Sequence, residues 1–229
     1  MPALAEGPTR WADLSVRVIS ALVLAPITIV CVWVGGIVFT VIVVATVVGL
    51  AVEWLGLCRG SRRTPLLFAG LAYVVLAAAA ILWLRCDPAA GRADVLFLLF
   101  IVWAGDIGAY LVGRWIGGPR LARHISPGKT WSGAAGGLIA AIVAGSLVAH
   151  FLSDGATWRA MLIAAALGVV AQGGDLLESF VKRRLQVKDS GHLIPGHGGL
   201  FDRLDGVLAA APVAALLALT LGRGVVLWQ

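Results

Sequence analysis

The apolar residues of this chain run in long unbroken blocks, not in the narrow stripes of an amphipathic surface helix. Seven blocks stand out, over about 16–34, 37–56, 66–84, 94–113, 133–152, 158–181 and 206–222. Each is close to the roughly 17–25 residues that cross about 30 Å of hydrocarbon as a helix. Such blocks must satisfy their backbone hydrogen bonds internally, which favours helices. The pattern predicts an all-α fold, a polytopic transmembrane helical bundle of about seven spans. Gly35-Gly36 turns the first span tightly into the second, and Arg59, Arg62, Arg63 and Pro65 punctuate the next connection. Two connections, over 114–132 and 182–205, are longer and far more polar.

Composition agrees with this division. The chain has 229 residues, 60% of them hydrophobic and only 13% charged, outside the range of soluble globular domains. Three scattered cysteines, Cys31, Cys58 and Cys86, offer neither a disulfide framework nor metal-ligand spacing. The net charge of +6 does not point to nucleic acid, because the basic residues sit between spans, where they set orientation. With the N-terminus inside, 14 of the 18 lysines and arginines fall on the inner side, leaving Arg85, Arg92, Arg159 and Arg223 outside. Both polar loops then face the cytoplasm, and the expected location is the inner (cytoplasmic) membrane. Residues 1–15 read as a cytoplasmic lead-in with Trp11 as an interfacial anchor, not as a cleaved signal.

Carboxylates inside apolar spans are the strongest chemical signal. A charge at a helix centre costs about 2.5–3.5 kcal/mol on insertion scales, so such residues tend to line cavities or find partners. Asp106 lies in the fourth span, and Asp175 and Glu178 lie in the sixth. Asp175, Ser179 and Lys182 are spaced by four and three residues, which puts a carboxylate, a hydroxyl and an ammonium on one helix face, with Arg183 beside them. Glu53, near the end of the second span, reads as an interfacial residue without a role. In the loop after the sixth span, Gly196, Gly198 and Gly199 allow close backbone approach to a ligand. Asp202 and Asp205, three apart at the start of the last span, could face Asp175 and offer hard oxygen ligands to a divalent metal. His197 is the best functional candidate among the histidines. In the other loop, Gly128-Lys129-Thr130 lacks the upstream glycine and strand of a P-loop, but Ser126, Lys129 and Thr130 suit a phosphate-contacting turn. The glycines from Gly133 to Gly137 suit close helix packing.

Ser179-Phe-Val-Lys-Arg183, Lys188-Asp189 and His197-Gly-Gly-Leu-Phe-Asp-Arg-Leu-Asp205 together resemble the signature of the phosphatidate cytidylyltransferase (CDP-diacylglycerol synthase) family. Asp106-Ile-Gly-Ala-Tyr110, Gly113-Arg114, Ser126-Pro127 and Lys129-Thr130-Trp131 extend the resemblance over about 103–206. Gly128 and Ser132 depart from it, standing where the family pattern has a lysine and a glutamate. The resemblance implies an integral-membrane nucleotidyltransferase of phospholipid biosynthesis. It would move CMP from CTP to phosphatidic acid, giving CDP-diacylglycerol and pyrophosphate. It divides the chain into N-terminal spans, 1–93, and a catalytic membrane domain, 94–229, whose signature occupies 179–205.

The same resemblance implies metal binding by Asp175 and Asp202, with Asp205 a third ligand. The cation would be Mg²⁺, with a second monovalent or divalent cation left open. Lys182, Arg183, Lys188 and Arg203 would neutralise phosphates, and Ser179 would orient substrate or a ligand carboxylate. His197 would join the catalytic set, and Asp189, Asp106, Tyr110 and Arg114 would contact substrate with Ser126, Lys129 and Thr130. The partners implied are CTP, phosphatidic acid and the lipid bilayer, with a homodimer left open and no nucleic acid. A CDP-alcohol phosphotransferase fits poorly, because no aspartate follows Asp205. A cytidylyltransferase for another lipid phosphate remains an alternative. A cation-coupled transporter is a weaker one, since the chain lacks repeated halves.

The basic asymmetry is directly testable. In a background without native cysteines, Ser126→Cys should react with a membrane-impermeant maleimide only when the cytoplasmic side is exposed. Labelling in sealed cells would reverse the orientation.

Overall fold

A computed structural model describes residues 10–58, 64–152, 158–187, 190–191 and 199–229, with backbone alone over 10–21. The described residues form seven helices: α1 (Arg10–Val34), α2 (Gly36–Cys58), α3 (Thr64–Arg85), α4 (Gly91–Ile116), α5 (Trp131–Leu152), α6 (Trp158–Arg184) and α7 (Phe201–Leu221). Helices α2 to α7 are each long and apolar enough to cross a membrane, and α1 contributes a shorter apolar stretch, Leu22–Val34. The all-α expectation holds, with one small addition. Between α4 and α5 a two-stranded antiparallel hairpin pairs β1 (Arg120–Ala122) with β2 (Ser126–Thr130), matching Arg120 with Thr130 and Ala122 with Ser126. Backbone polar groups in a polar connection still need partners, and a short ladder supplies them.

Large apolar side chains such as Ile37, Val41, Val75, Ile139 and Leu219 are exposed on the outside of the bundle, as lipid-facing positions should be. The interior is built around the first half of α4, where Val95, Phe97, Leu98 and Ile101 are fully buried. Helices α5, α6 and α7 pack against α4, and α3 packs against α7 and α2. Lipid tails are as apolar as leucine, so helices associate mainly through close packing. The expected glycine seam delivers it. A Cβ on Gly108 would stand 2.5 Å from Ala140 Cβ, and one on Gly137 would stand 2.8 Å from the Gly105 carbonyl oxygen. Only glycines allow α4 and α5 to meet this closely.

A span boundary that differs from the sequence reading near the polar residues is that of α7, which begins at Phe201 and not near residue 206. Asp202 and Asp205 therefore lie in its first turns instead of ahead of it. Their acidic side chains suit the positive end of the helix dipole.

The end of the bundle away from the two polar connections is tied by polar groups. Arg85 Nε donates to the Val32 carbonyl at 2.6 Å, joining α3 to the end of α1. Asp94, 2% exposed, accepts the Leu227 amide at 2.9 Å and so pins the C-terminal segment. Trp228 packs on Phe97 with ring centroids 4.6 Å apart. Asp87, in the turn before α4, accepts the amides of Ala89 and Ala90 at 2.9 Å and that of Gly224 at 2.7 Å. The Ala90 amide, with those of Gly224 and Ala89 and the Arg223 guanidinium, holds the Asp87 carboxyl below its ordinary pKa despite partial burial.

A depressed folded-state pKa stabilises the fold above the unfolded carboxylate pKa, and this contribution disappears as pH falls through the folded value. Asp87→Asn should therefore lower stability by about 1–2 kcal/mol near neutral pH, where charged acceptors outperform neutral ones. The difference in Tm from the parent protein in detergent should shrink as the pH is taken below the ordinary carboxylate range. A difference that stays constant into acid would remove the charge from the explanation.

Candidate active site

The polar residues that the sequence scatters over three regions meet at one end of the bundle. Helix α6 brings Asp175, Glu178, Ser179, Lys182 and Arg183, and the first turns of α7 bring Asp202, Arg203 and Asp205. The two helices touch where α6 has no side chain, since a Cβ on Gly174 would lie 2.5 Å from Ala209 Cβ and 2.7 Å from the Asp205 carbonyl oxygen. This crossing sets Asp175 opposite Asp205. One oxygen from each of Asp175, Glu178 and Asp205 lies within 4.8 Å of the others. Asp106 of α4 stands in the same electrostatic neighbourhood as Asp175, Lys129 and Arg203.

Two lysines offset this negative charge. Lys129, carried in by β2, places its Nζ 2.5 Å from Asp175 Oδ2. Lys182 bridges two helices, with Nζ 2.5 Å from Asp202 Oδ1 and 3.3 Å from Glu178 Oε2. The hairpin is held over α6 by Arg183, whose Nε donates to the Ile125 carbonyl at 3.2 Å. Asp202 Oδ2 also accepts the Ser190 amide at 3.1 Å, the Ser190 hydroxyl at 3.0 Å and the Gly199 amide at 3.0 Å.

The carboxylate gathering suits a hard divalent cation in chemistry and in local need. Among the described residues the buried Glu178 Oε1 meets no hydrogen-bond partner, and an orphaned carboxylate oxygen among other carboxylates is what an oxygen-coordinated cation would satisfy. The trio differs from the sequence-based ligand set. Asp175 and Asp205 belong to it and Glu178 joins them, while Asp202 adjoins Glu178 through the shared Lys182 and is engaged with Ser190 and Gly199.

The remaining expected site residues are placed as follows. Thr130 is buried and its Oγ1 accepts the Gly133 amide at 3.1 Å, so its hydroxyl caps α5. Ser126 and Ser179 are half-buried, at the start of β2 and on α6. Tyr110, Arg114 and Arg203 are exposed, the first two along the last turns of α4. Lys188, Asp189 and His197 lie outside the described residues.

The sequence reading gave Glu53 no role, and the structure corrects this. Glu53 is 5% exposed, and its carboxylate accepts the amides of Leu200 at 2.8 Å and Phe201 at 2.9 Å. The available signal was a lone carboxylate among apolar residues in Ala51-Val52-Glu53-Trp54, the same argument that singled out Asp175. Beside it lies a cavity of about 280 Å³ between α2, α3, α6 and α7. Trp54, Leu57, Leu66, Tyr73, Leu177 and Val181 form its apolar wall, and Glu178, Lys182, Ser190 and Asp205 form its polar lining.

Residues 62–221 match the model of the cytidylyltransferase family. Proteins named phosphatidate cytidylyltransferase are similar over most of the chain. That of Brucella suis biovar 1 (strain 1330) is 38% identical over 90% of this chain and 93% of its own length. That of Rickettsia bellii (strain RML369-C) is 32% identical over 88% of this chain and 89% of its own. That of Mycobacterium leprae (strain TN) is 46% identical over 56% of this chain and 41% of its own.

If the α6–α7 crossing assembles the site, Gly174→Ala should overpack it at a cost of about 1–3 kcal/mol. The expected result is a lower Tm in detergent with normal membrane insertion. An unchanged Tm would mean that the two helices do not meet at Gly174.

Proposed function

This chain belongs to the cytidylyltransferase family, and we propose that it transfers CMP from CTP to phosphatidic acid, releasing pyrophosphate and forming CDP-diacylglycerol. The observation that carries this reading is the 280 Å³ cavity, whose apolar wall meets a polar lining of carboxylates and Lys182. An amphiphile with a phosphate head matches both parts. Its glycerol and first acyl carbons would lie against Trp54, Leu66 and Tyr73, with the phosphate toward Lys182.

In the proposed reaction, an oxygen of the lipid phosphate attacks the α-phosphorus of CTP. A new P–O bond forms there, and the bond to the β-phosphate oxygen breaks to release pyrophosphate. The nucleophile needs no strong base, because a phosphomonoester with a second pKa of about 6 is largely dianionic at neutral pH. His197 is therefore dispensable as a proton acceptor. The obstacle is bringing one polyanion to another, so catalysis rests on positioning and charge neutralisation. Lys129 and Lys182, now paired with carboxylates, sit where phosphate oxygens could take over those contacts. Arg183, Arg203 and Lys188 would extend the cationic surface toward the triphosphate, and Ser126, Ser179, Tyr110, Arg114 and Asp189 would line its approach.

We assign the cation as Mg²⁺, held by Asp175 with Asp205 and Glu178, with a second cation left open, while Asp202 adjoins the site through Lys182. Bound there, it would polarise the phosphoryl oxygens and offset their charge. The membrane is proposed to be the cytoplasmic one, with the site on its inner face, supported by the concentration of 14 of 18 basic residues on that side. A homodimer is compatible with this reading.

Purified protein should release pyrophosphate from CTP when phosphatidic acid is supplied, and not with diacylglycerol. Chelation should stop the reaction and added Mg²⁺ restore it. Asp175→Asn and Asp205→Asn should each lose more than about a hundredfold in kcat, and the double variant should be scarcely worse, as for groups that act as a unit on one cation. His197→Gln should retain measurable turnover. Lipid-independent pyrophosphate release, or near-normal turnover of Asp175→Asn, would refute the assignment.

A further inference from the structure

We infer that Glu53 is a positioning residue of the reaction, a carboxylate clasp from α2 that sets the first turn of α7 and hence the placement of Asp202 and Asp205; this rests on the proposed cytidylyl transfer. Glu53 lies ahead of the family match, which begins at residue 62, and it touches none of the oxygens of the carboxylate trio in the described contacts. What it holds is backbone. Its two oxygens take the amides of Leu200 and Phe201 at 2.8 and 2.9 Å, two donors that the first turn of α7 cannot satisfy for itself. The Ser190 hydroxyl donates toward Glu53 Oε2 at 3.5 Å and toward Asp202 Oδ2 at 3.0 Å. One serine therefore links the clasp to the site carboxylate.

The two ends of the α6–α7 connection are fitted to this carboxylate. A Cβ on Gly191 would lie 2.7 Å from Glu53 Oε1, and one on Gly199 would lie 2.9 Å from Glu53 Oε2. Glycine at both positions lets backbone from either end close on the buried side chain. The ring of Trp54, the next residue, stacks on Phe201 with centroids 5.4 Å apart, and its Nε1 donates to the Leu67 carbonyl at 3.0 Å. The clasp is thereby fixed to α3 as well. Asp202 follows Phe201 directly, so a shift in the Phe201 amide is passed to the Asp202 side chain. Misplacement by about 1 Å can cost on the order of a hundredfold in rate.

The test compares Glu53→Gln with Gly191→Ala, which damages the same contact from the opposite side. Both are assayed on full-length protein with CTP and phosphatidic acid, alongside hydrogen exchange of the Gly199–Arg203 amides. The expected result for both variants is a ten- to hundredfold loss in kcat, KM values for CTP and lipid within about threefold, and faster exchange of the Leu200 and Phe201 amides. Their losses should not multiply in the double variant. A Glu53→Gln enzyme with kcat within twofold of the parent overturns the inference, as does a loss confined to KM, which would make Glu53 a substrate contact. Should Glu53→Gln fail to fold, the same readouts on Gly191→Ala decide the matter. A parent protein that releases no pyrophosphate refutes the functional reading instead, while unchanged amide exchange in the variants would by itself refute the clasp.

Discussion

Negative charge held at the end of an apolar bundle must be compensated on the spot, and the whole site is organised by that demand. Removing one partner from a buried ion pair typically costs about 3–5 kcal/mol, because the other charge is left stranded. Lys182 answers two carboxylates from two helices, and Lys129 reaches Asp175 from the hairpin. Each pairing also fixes a segment that packing alone would leave loose. The hairpin is registered on α6 through Lys129 and Arg183, and the beginning of α7 is registered on α6 through Lys182. The same pairs leave cationic groups beside a concentration of carboxylates, an arrangement ready to exchange internal partners for phosphate oxygens and a cation.

Close helix approach makes these pairings geometrically reachable. Short side chains such as Asp cannot span the usual 8–10 Å between helix axes unless the backbones draw together. Gly174 draws α6 onto α7 at the level of Asp205, and the glycines of α4 and α5 draw those helices together beneath the hairpin. Glycine thus serves the site without entering it. The opposite end shows a different solution, in which Asp87, Asp94 and Arg85 bind backbone groups of the terminal segments and hold the bundle closed away from the chemistry.

The proposed amphiphilic substrate fits a site at the boundary of α2, α3, α6 and α7 better than the dense core around α4. The core cluster there is filled by side chains, whereas the cavity beside Trp54 and Tyr73 combines an apolar wall with charged residues. Family membership assigns the class of chemistry. The cavity fits the proposed lipid substrate, and the carboxylate trio is the oxygen-rich environment that a cation-assisted transfer would use.

The amino-acid sequence by itself determined the helical spans, the two polar connections and most of the charged residues that meet at the site. It could do so because a charge in an apolar segment is costly enough to stand out without any knowledge of its neighbours. The close-packing glycines were legible for a similar reason, since their spacing lies within one helix. Tertiary structure alone decided which carboxylate meets which cation. Spacing put Asp202 and Asp205 together, yet the α6–α7 crossing sends Asp205 toward Asp175 and Glu178 and gives Asp202 to Lys182 and Ser190. Thr130, read as a phosphate contact, also caps α5, a role that only the start of that helix at Trp131 made visible. Glu53 was hidden most completely, since its partners lie 137 to 148 residues away. Periodicity records which residues share a face of one helix, but contacts between distant helices depend on how those helices cross.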